Sequence, residues 1–186
     1  MFILASSSPR RRELMKQIVD EYKIIPSNFD EGIFSSLFPM EAVHEIAKSK
    51  GEEVSLKYPD DVVISADTIV VIDNKLIGKP IDEDDACRIL NLLSNKEHQV
   101  ITSFCIFKGK LLYQEEVISD VLFYPLTDAL IKDYVKSKSP LDKAGAYGVQ
   151  DNEKYPLVKE IKGSVDNVIG FPTKEIKEAL IRLKLL

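Results

Sequence analysis

Residues 62–72, Val-Val-Ile-Ser-Ala-Asp-Thr-Ile-Val-Val-Ile, constrain this chain more than any other segment. The run is almost wholly apolar and mostly β-branched, as a strand buried on both faces is. Such a strand needs covering layers on both sides, which points to an α/β or α+β fold. Asp67 sits in its middle. An unpartnered carboxylate there is expensive to bury, so it must be hydrogen-bonded, paired, bound to a metal or protonated. Two readings stand: a structural carboxylate satisfied by backbone or a lysine, or a functional one acting as metal ligand or general base. In a regular strand Thr68 points to the opposite face.

The rest of the chain supplies the layers. Phe2 to Ala5 and Tyr22 to Ile25 read as short strands. Ser8 caps a helix with Pro9 at its first position, running to about Val19 with Leu14, Met15 and Ile18 inward. Residues 27–39 read as a loop, and Met40 to Lys57 as a helix striped by Val43, Ala47 and Val54. Asp73-Asn74-Lys75 turns the chain into a return strand at Leu76-Ile77. Asp82 caps a helix from Glu83 to Leu93. Gln99 to Phe107 and Leu111 to Tyr124 form long strands around Lys108-Gly109-Lys110. Thr127 caps a helix to Lys136, and Leu157 to Ile161 is a short strand. Residues 163–172 look loop-like, and Thr173 caps a closing helix with Ile176, Leu180 and Leu183 inward. With 186 residues, one domain over 1–186 is expected.

Composition narrows the classes. Twenty-five basic and thirty acidic side chains leave a net charge of −5, a poor match for a duplex-DNA binder. The absence of tryptophan weakens a single-strand-binding reading, which wants stacking aromatics on a basic groove. Cys87 and Cys105 share no motif, so neither a disulfide framework nor a cysteine zinc site is expected. No apolar run is long enough to span a bilayer, and no basic region precedes the apolar start. A cytoplasmic protein free of membrane and nucleic acid is expected.

Three further features bear on chemistry. Arg10-Arg11-Arg12 crowds the first turn of a helix whose N–H groups already attract an anion. Arginine's planar fork matches phosphate oxygens, although a solvated basic turn has the same sequence. Lys50 lies on the same stripe as Val43, Ala47 and Val54, where it either snorkels or serves a site. Gly78-Lys79-Pro80 places a lysine in a rigid turn. Lys143-Ala-Gly-Ala-Tyr-Gly-Val-Gln150 is glycine-rich but matches neither common nucleotide loop. Asp30-Glu31 could offer metal oxygens. His44 and His98 lack partners at ligand spacing, with His98 expected at a strand end. Together, a basic helix start, two lysines and a buried aspartate describe a polyphosphate site with a divalent cation.

These residues also carry a resemblance. Ala5-Ser6-Ser7-Ser8-Pro9-Arg10-Arg11, Ala66-Asp67-Thr68, Gly78-Lys79-Pro80, Asp142 to Gln150, and Gly163-Ser164 followed by Gly170-Phe171-Pro172 are similar, in order, to the motifs of the Maf family of nucleoside triphosphate pyrophosphatases. The resemblance implies an elongated mixed β-sheet flanked by helices, two lobes around a central cleft, and a cytoplasmic homodimer. It implies hydrolysis between the α and β phosphates with a divalent metal, Mg or Mn. Asp67 maps to the family's proton acceptor, Lys50 and Lys79 to its lysines, and Asp30 and Glu31 to its acidic loop. Glu31 is the safer metal candidate beside Asp67. Arg11, Thr68 and Gln150 map to the positions that mark the subgroup acting on dTTP and UTP, as opposed to 7-methyl-GTP. A glutamine amide can both donate to and accept from a pyrimidine edge. Three positions depart from the family pattern. Gly51 replaces a frequent alanine and should loosen its helix by up to about 1 kcal/mol. Asp30 replaces a glutamate, and Asp151 follows Gln150 where glycine is common, adding charge near the base.

The expected mechanism is in-line attack of water on the α phosphorus, with Asp67 taking the proton, directly or through a metal-bound water. The metal, held by Asp67, Glu31 and the phosphates, neutralises developing charge. Arg10, Arg11, Lys50 and Lys79 fix the phosphates, and Ser6 and Ser8 add hydrogen bonds. The rival expectation is a nucleotide-binding regulator of cell division without turnover.

Overall fold

A computed structural model describes residues 1–30 and 37–186. Seven strands form one mixed sheet: β1 (Phe2–Leu4), β2 (Tyr22–Ile24), β3 (Val62–Ile72), β4 (Lys75–Ile77), β5 (Glu97–Lys108), β6 (Lys110–Phe123) and β7 (Val158–Lys162), in the order β2-β1-β3-β5-β6-β7 with β4 on β3. The helices are α1 (Pro9–Met15), α2 (Pro39–Lys57), α3 (Glu83–Leu93), α4 (Asp128–Lys136), α5 (Val165–Ile169) and α6 (Thr173–Arg182). β1 runs parallel to both β2 and β3, with Phe2 opposite Tyr22 and Val62. β3 and β4 are antiparallel across a two-residue turn in which Asp73 and Asn74 both hold positive φ (51° and 60°), the conformation a tight hairpin needs. The mixed α/β sheet expected from the sequence is what the chain forms.

The chain divides into two compact units. The first comprises residues 1–68, 102–117 and 166–186. Strand alternation sorts its side chains cleanly. Leu4, Ile64, Ala66, Phe104 and Ile106 pack on one face with Leu14 and Met15 of α1 and Ile176 and Leu180 of α6. Ile3, Ala5, Val63, Cys105 and Phe107 pack on the other with Ala47 and Val54 of α2. Both faces of β3 are therefore covered, as its composition requires.

The second unit comprises residues 69–101 and 118–165. The Asp82 side chain caps α3 by accepting from the Asp85 N–H (2.8 Å), and Ala86, Ile89, Leu90 and Leu93 face inward. Thr127 caps α4 through the Leu130 N–H (3.2 Å). His98 lies inside β5 as its second residue and is buried, packed edge-on against Phe123 and Tyr147 at ring separations of 5.0 and 5.4 Å. Its Nε2 shares a hydrogen bond with Tyr147 Oη (2.8 Å), while Nδ1 is buried without a partner. Burial pushes the imidazole down to about 4.

Some boundaries differ from expectation. Helix α1 ends at Met15 and the chain tightens through Gln17 N–H to Leu14 O and Ile18 N–H to Met15 O, which still buries Ile18 and Val19. Residues 163–172 contain a short helix, closed where the Gly170 N–H bonds to Asp166 O with Gly170 at φ 112°. Thr173 is not a cap. It is the first residue of α6, Pro172 holds the cap position, and the Thr173 hydroxyl donates to Asp166. Gly51 has a packing reason: a Cβ there would stand 2.2 Å from Phe107 Cε2 and 2.4 Å from Ser65 Oγ. The residue that weakens α2 as a helix is what lets it lie against β3 and β5.

Two measurements check this account. Gly51→Ala should lower unfolding free energy by about 1–3 kcal/mol in urea titration, overpacking outweighing the gain in helix propensity. His98 has a folded-state value near 4 against an ordinary 6.5. Its neutral form is thus favoured on folding, so the stability is present above pH 6.5 and is lost as pH falls toward 4. The loss should total roughly 3 kcal/mol, and His98→Gln should flatten that part of the pH–stability curve.

Candidate functional site

The site in the first unit begins where β1 ends. Ser6 is buried and its Oγ accepts from the Ser8 N–H (3.2 Å); Ser8 Oγ accepts from the Arg11 N–H (3.4 Å) and so caps α1, with Pro9 at the first position. β1 pairs with β3 as far as Leu4 opposite Ile64, the Ala5 N–H bonds to Ile64 O (2.8 Å), and Arg11 Nη1 reaches both Ser6 Oγ (3.5 Å) and Ala66 O (2.7 Å). The serine turn and the start of α1 are thus tied to the backbone beside Asp67, just past the carboxyl end of β1, the kind of place where open α/β sheets bind ligands. Arg10 is half-buried in the first turn of α1.

Asp67 is 8% exposed. Alternation aims it at the α2 face, where Lys50 Nζ lies 2.8 Å from Oδ1. The lysine at the centre of an apolar stripe is there to meet the carboxylate at the centre of an apolar strand. Thr68 takes the other face. Its Oγ1 shares a hydrogen bond with Thr102 Oγ1 (2.9 Å) and accepts from Arg11 Nη2 (3.0 Å). Arg11 also donates from Nη1 to Ala66 O (2.7 Å) and from Nε to Gly170 O (2.8 Å). Its fork grips the backbone on the residue before Asp67, the hydroxyl on the residue after it, and the end of α5. Arg12 takes no part: its carbonyl accepts from Tyr22 Oη (2.6 Å), and its Nε is buried without a partner.

Among the described residues, no group of three or more His, Cys, Asp or Glu side chains is arranged to hold a metal ion. Glu31 lies outside the described residues; Asp30 is exposed next to it. The donor set still fits a magnesium-like ion, which takes one or two carboxylates and completes its shell with water and phosphate oxygens. Asp67 is a hard oxygen donor of that kind.

The second unit holds the other two residues. Lys79 is exposed in the turn after β4, and Gly78 O in that turn accepts from the Gly145 N–H (3.0 Å) of the glycine-rich loop. Gln150 is exposed in a 3-10 turn, Val149–Asp151. Gly148 leaves room beside it: a Cβ there would stand 2.7 Å from Lys143 Cε and 3.0 Å from Gln150 Oε1. Asp151 is half-buried. Its carboxylate accepts from Tyr134 Oη (2.7 Å) and Ser139 Oγ (2.6 Å). Tyr134 lies inside the helix expected from Thr127 to Lys136, and nothing in the residue pattern marks what its hydroxyl meets.

The chain is similar to known proteins over nearly its whole length. A family model described as Maf-like protein matches residues 1–183. A dTTP/UTP pyrophosphatase of Carboxydothermus hydrogenoformans is 40% identical, covering 95% of each chain. The protein of that name in Pyrococcus furiosus is 41% identical over 91% of this chain and 88% of its own, and that in Halalkalibacterium halodurans 39% identical over 96% and 93%. A solved HAM1 protein from Coxiella burnetii aligns over 97% of this chain and 98% of its own with a TM-score of 0.49 and 14% identity. The chain belongs to the Maf family.

The Arg11 grip is open to test. Arg11→Lys keeps the charge but replaces a planar fork with a point donor, leaving buried acceptors short of partners. Urea unfolding should show a loss of about 1–3 kcal/mol.

Proposed function

We propose that this chain is a nucleoside triphosphate pyrophosphatase that cleaves dTTP and UTP to the monophosphate and pyrophosphate, and that residues 1–186 act as one domain of that type. The observation that carries the proposal is the Lys50–Asp67 pair (2.8 Å), on a strand that Arg11 of α1 grips at Ala66 and Thr68. The names borne by relatives near 40% identity support the substrate class.

In this reading the phosphates enter at the Ser6–Ser8 turn, where the free N–H groups of α1 favour an anion. Arg10 and the hydroxyls of Ser6 and Ser8 bind phosphate oxygens. Lys50 neutralises and aims the Asp67 carboxylate before substrate arrives, then offers its ammonium to a phosphate. Asp67 accepts the proton of the water that attacks the α phosphorus, and pyrophosphate leaves. Arg11 acts by fixing Ala66 and Thr68 on either side of Asp67. A divalent ion, Mg or Mn, held by Asp67 and Glu31 together with the phosphates, would supply neutralisation of negative charge on the phosphate chain. Lys79 is assigned to phosphate binding and Gln150 to reading the pyrimidine edge. The protein is further proposed to work in the cytoplasm as a homodimer. No helix among the described residues is long and apolar enough to cross a membrane.

The test is a panel of dTTP, UTP, CTP, GTP and 7-methyl-GTP with Mg²⁺ or Mn²⁺, reading monophosphate and pyrophosphate separately. Multiple turnovers with dTTP and UTP and release of intact pyrophosphate are expected; binding without turnover would make the chain a regulator instead. Asp67→Asn should lower kcat by about 10²–10⁴, the usual worth of a positioned general base, in a protein that still folds.

A further inference from the structure

The second unit contains a closed chain of hydrogen bonds that the mechanism above does not use. Tyr134 is fully buried on α4, with its ring 4.8 Å from that of Tyr155. Its hydroxyl accepts from the Gly148 N–H (3.1 Å) and donates to Asp151 Oδ2 (2.7 Å). One phenol oxygen therefore holds both ends of the four-residue turn Gly148–Asp151. The same Oδ2 accepts from Ser139 Oγ (2.6 Å), and Ser139 Oγ accepts from Lys143 Nζ (3.0 Å). Lys143 begins the glycine-rich loop that ends at Gln150, so the chain of bonds closes on the loop it braces. Within the turn the Asp151 N–H bonds to Gly148 O (3.0 Å). Val149 and Gln150 are the residues left between the clamped ends, and only Gln150 has an exposed, polar side chain.

We infer that Tyr134 and Asp151 are positioning residues for substrate selectivity, fixing the backbone from which Gln150 projects. The inference rests on the proposed role of Gln150 in base reading. A glutamine amide discriminates a base edge only if its donor and acceptor are held in register; a turn free to shift by about 1 Å loses that register, with losses of up to roughly a hundredfold. Burial and the neighbouring Asp151 carboxylate push the Tyr134 hydroxyl well above its ordinary value, so it stays a donor across the working pH range. Asp151 is the acceptor that fixes the direction of that donor, and glycine at this position could not supply one.

Tyr134→Phe keeps the ring and removes the clamp; Asp151→Ala removes the acceptor; Asp151→Asn retains an oxygen that can accept. Val135→Ala, on the same helix and also buried, is the control for general loosening of α4. Steady-state kinetics with dTTP, UTP, CTP and GTP are measured for each. Tyr134→Phe and Asp151→Ala should raise KM for dTTP and UTP about tenfold while kcat changes by no more than about twofold, narrowing selectivity over CTP and GTP. Asp151→Asn should recover most of that selectivity. Val135→Ala should lower the unfolding temperature without moving KM. Selectivity in Tyr134→Phe and Asp151→Ala equal to that of the unaltered protein would overturn the inference, as would equal loss in Val135→Ala. An unaltered protein that turns over none of the nucleotides would instead overturn the proposed function, and that result is read before any variant is made.

Discussion

The Lys50–Asp67 ion pair is the constraint around which the first unit is arranged. Placing a carboxylate inside an apolar strand carries a desolvation penalty of several kcal/mol, and a lysine on the apolar stripe of a helix carries another. Neither residue is tolerable alone. Their meeting at 2.8 Å requires α2 to cross β3 at one register, with Ala47 below Lys50 and Val54 above it already seated on Val63, Cys105 and Phe107. Gly51, the next residue, removes the side chain that would hold the helix off the sheet. A buried ion pair is weak evidence for stability, since apolar replacements of both partners are often neutral or better. Its retention here is better explained by what a lysine ammonium and a carboxylate can do to a triphosphate.

The same strand divides two jobs between adjacent residues. Because side chains alternate, Asp67 faces the α2 layer and Thr68 the α1 and α6 layer. Asp67 is held by one ammonium, a flexible donor that a phosphate oxygen can draw away. Thr68 is held by Thr102 and Arg11, whose guanidinium also grips Ala66 O and Gly170 O. The backbone of Asp67 is therefore fixed from the face opposite its chemistry. That division accounts for arginine, and not lysine, at position 11: three acceptors on two segments need a planar fork with several donors.

Much of this was legible in the residues. The apolar run of β3, the caps at Ser8, Asp82 and Thr127, and the lysine on the α2 stripe follow from local patterns, and the structure holds each where the pattern puts it. The helix at 165–169 and the true place of Thr173 were not legible, because they depend on bonds to Asp166 and on Gly170 adopting a positive φ, and the end of α1 was not, because it is set by the tightened bonds from Gln17 and Ile18 back to Leu14 and Met15. Arg11 read as a phosphate ligand from its place in a basic first turn; only the fold shows acceptors around its guanidinium. Tyr134 escaped notice because periodicity records that a side chain is inward and says nothing of where its hydroxyl points.

Asp67 and Asp151 show why a carboxylate held by hydrogen bonds is not by that alone a reacting group. Each is held by short hydrogen bonds. Asp67 Oδ1 accepts from a cation on a flexible stem, and the partner can be exchanged for a phosphate without leaving a neutral donor stranded. Asp151 accepts from two neutral hydroxyls, one on a rigid buried ring and one on a short turn. Removing Asp151 from those donors would leave a buried phenol unsatisfied, at a cost of about 1–3 kcal/mol, with no incoming charge to offset it. The first arrangement is suited to chemistry and the second to holding a loop. What separates them is whether the partner is a mobile charge or a fixed dipole.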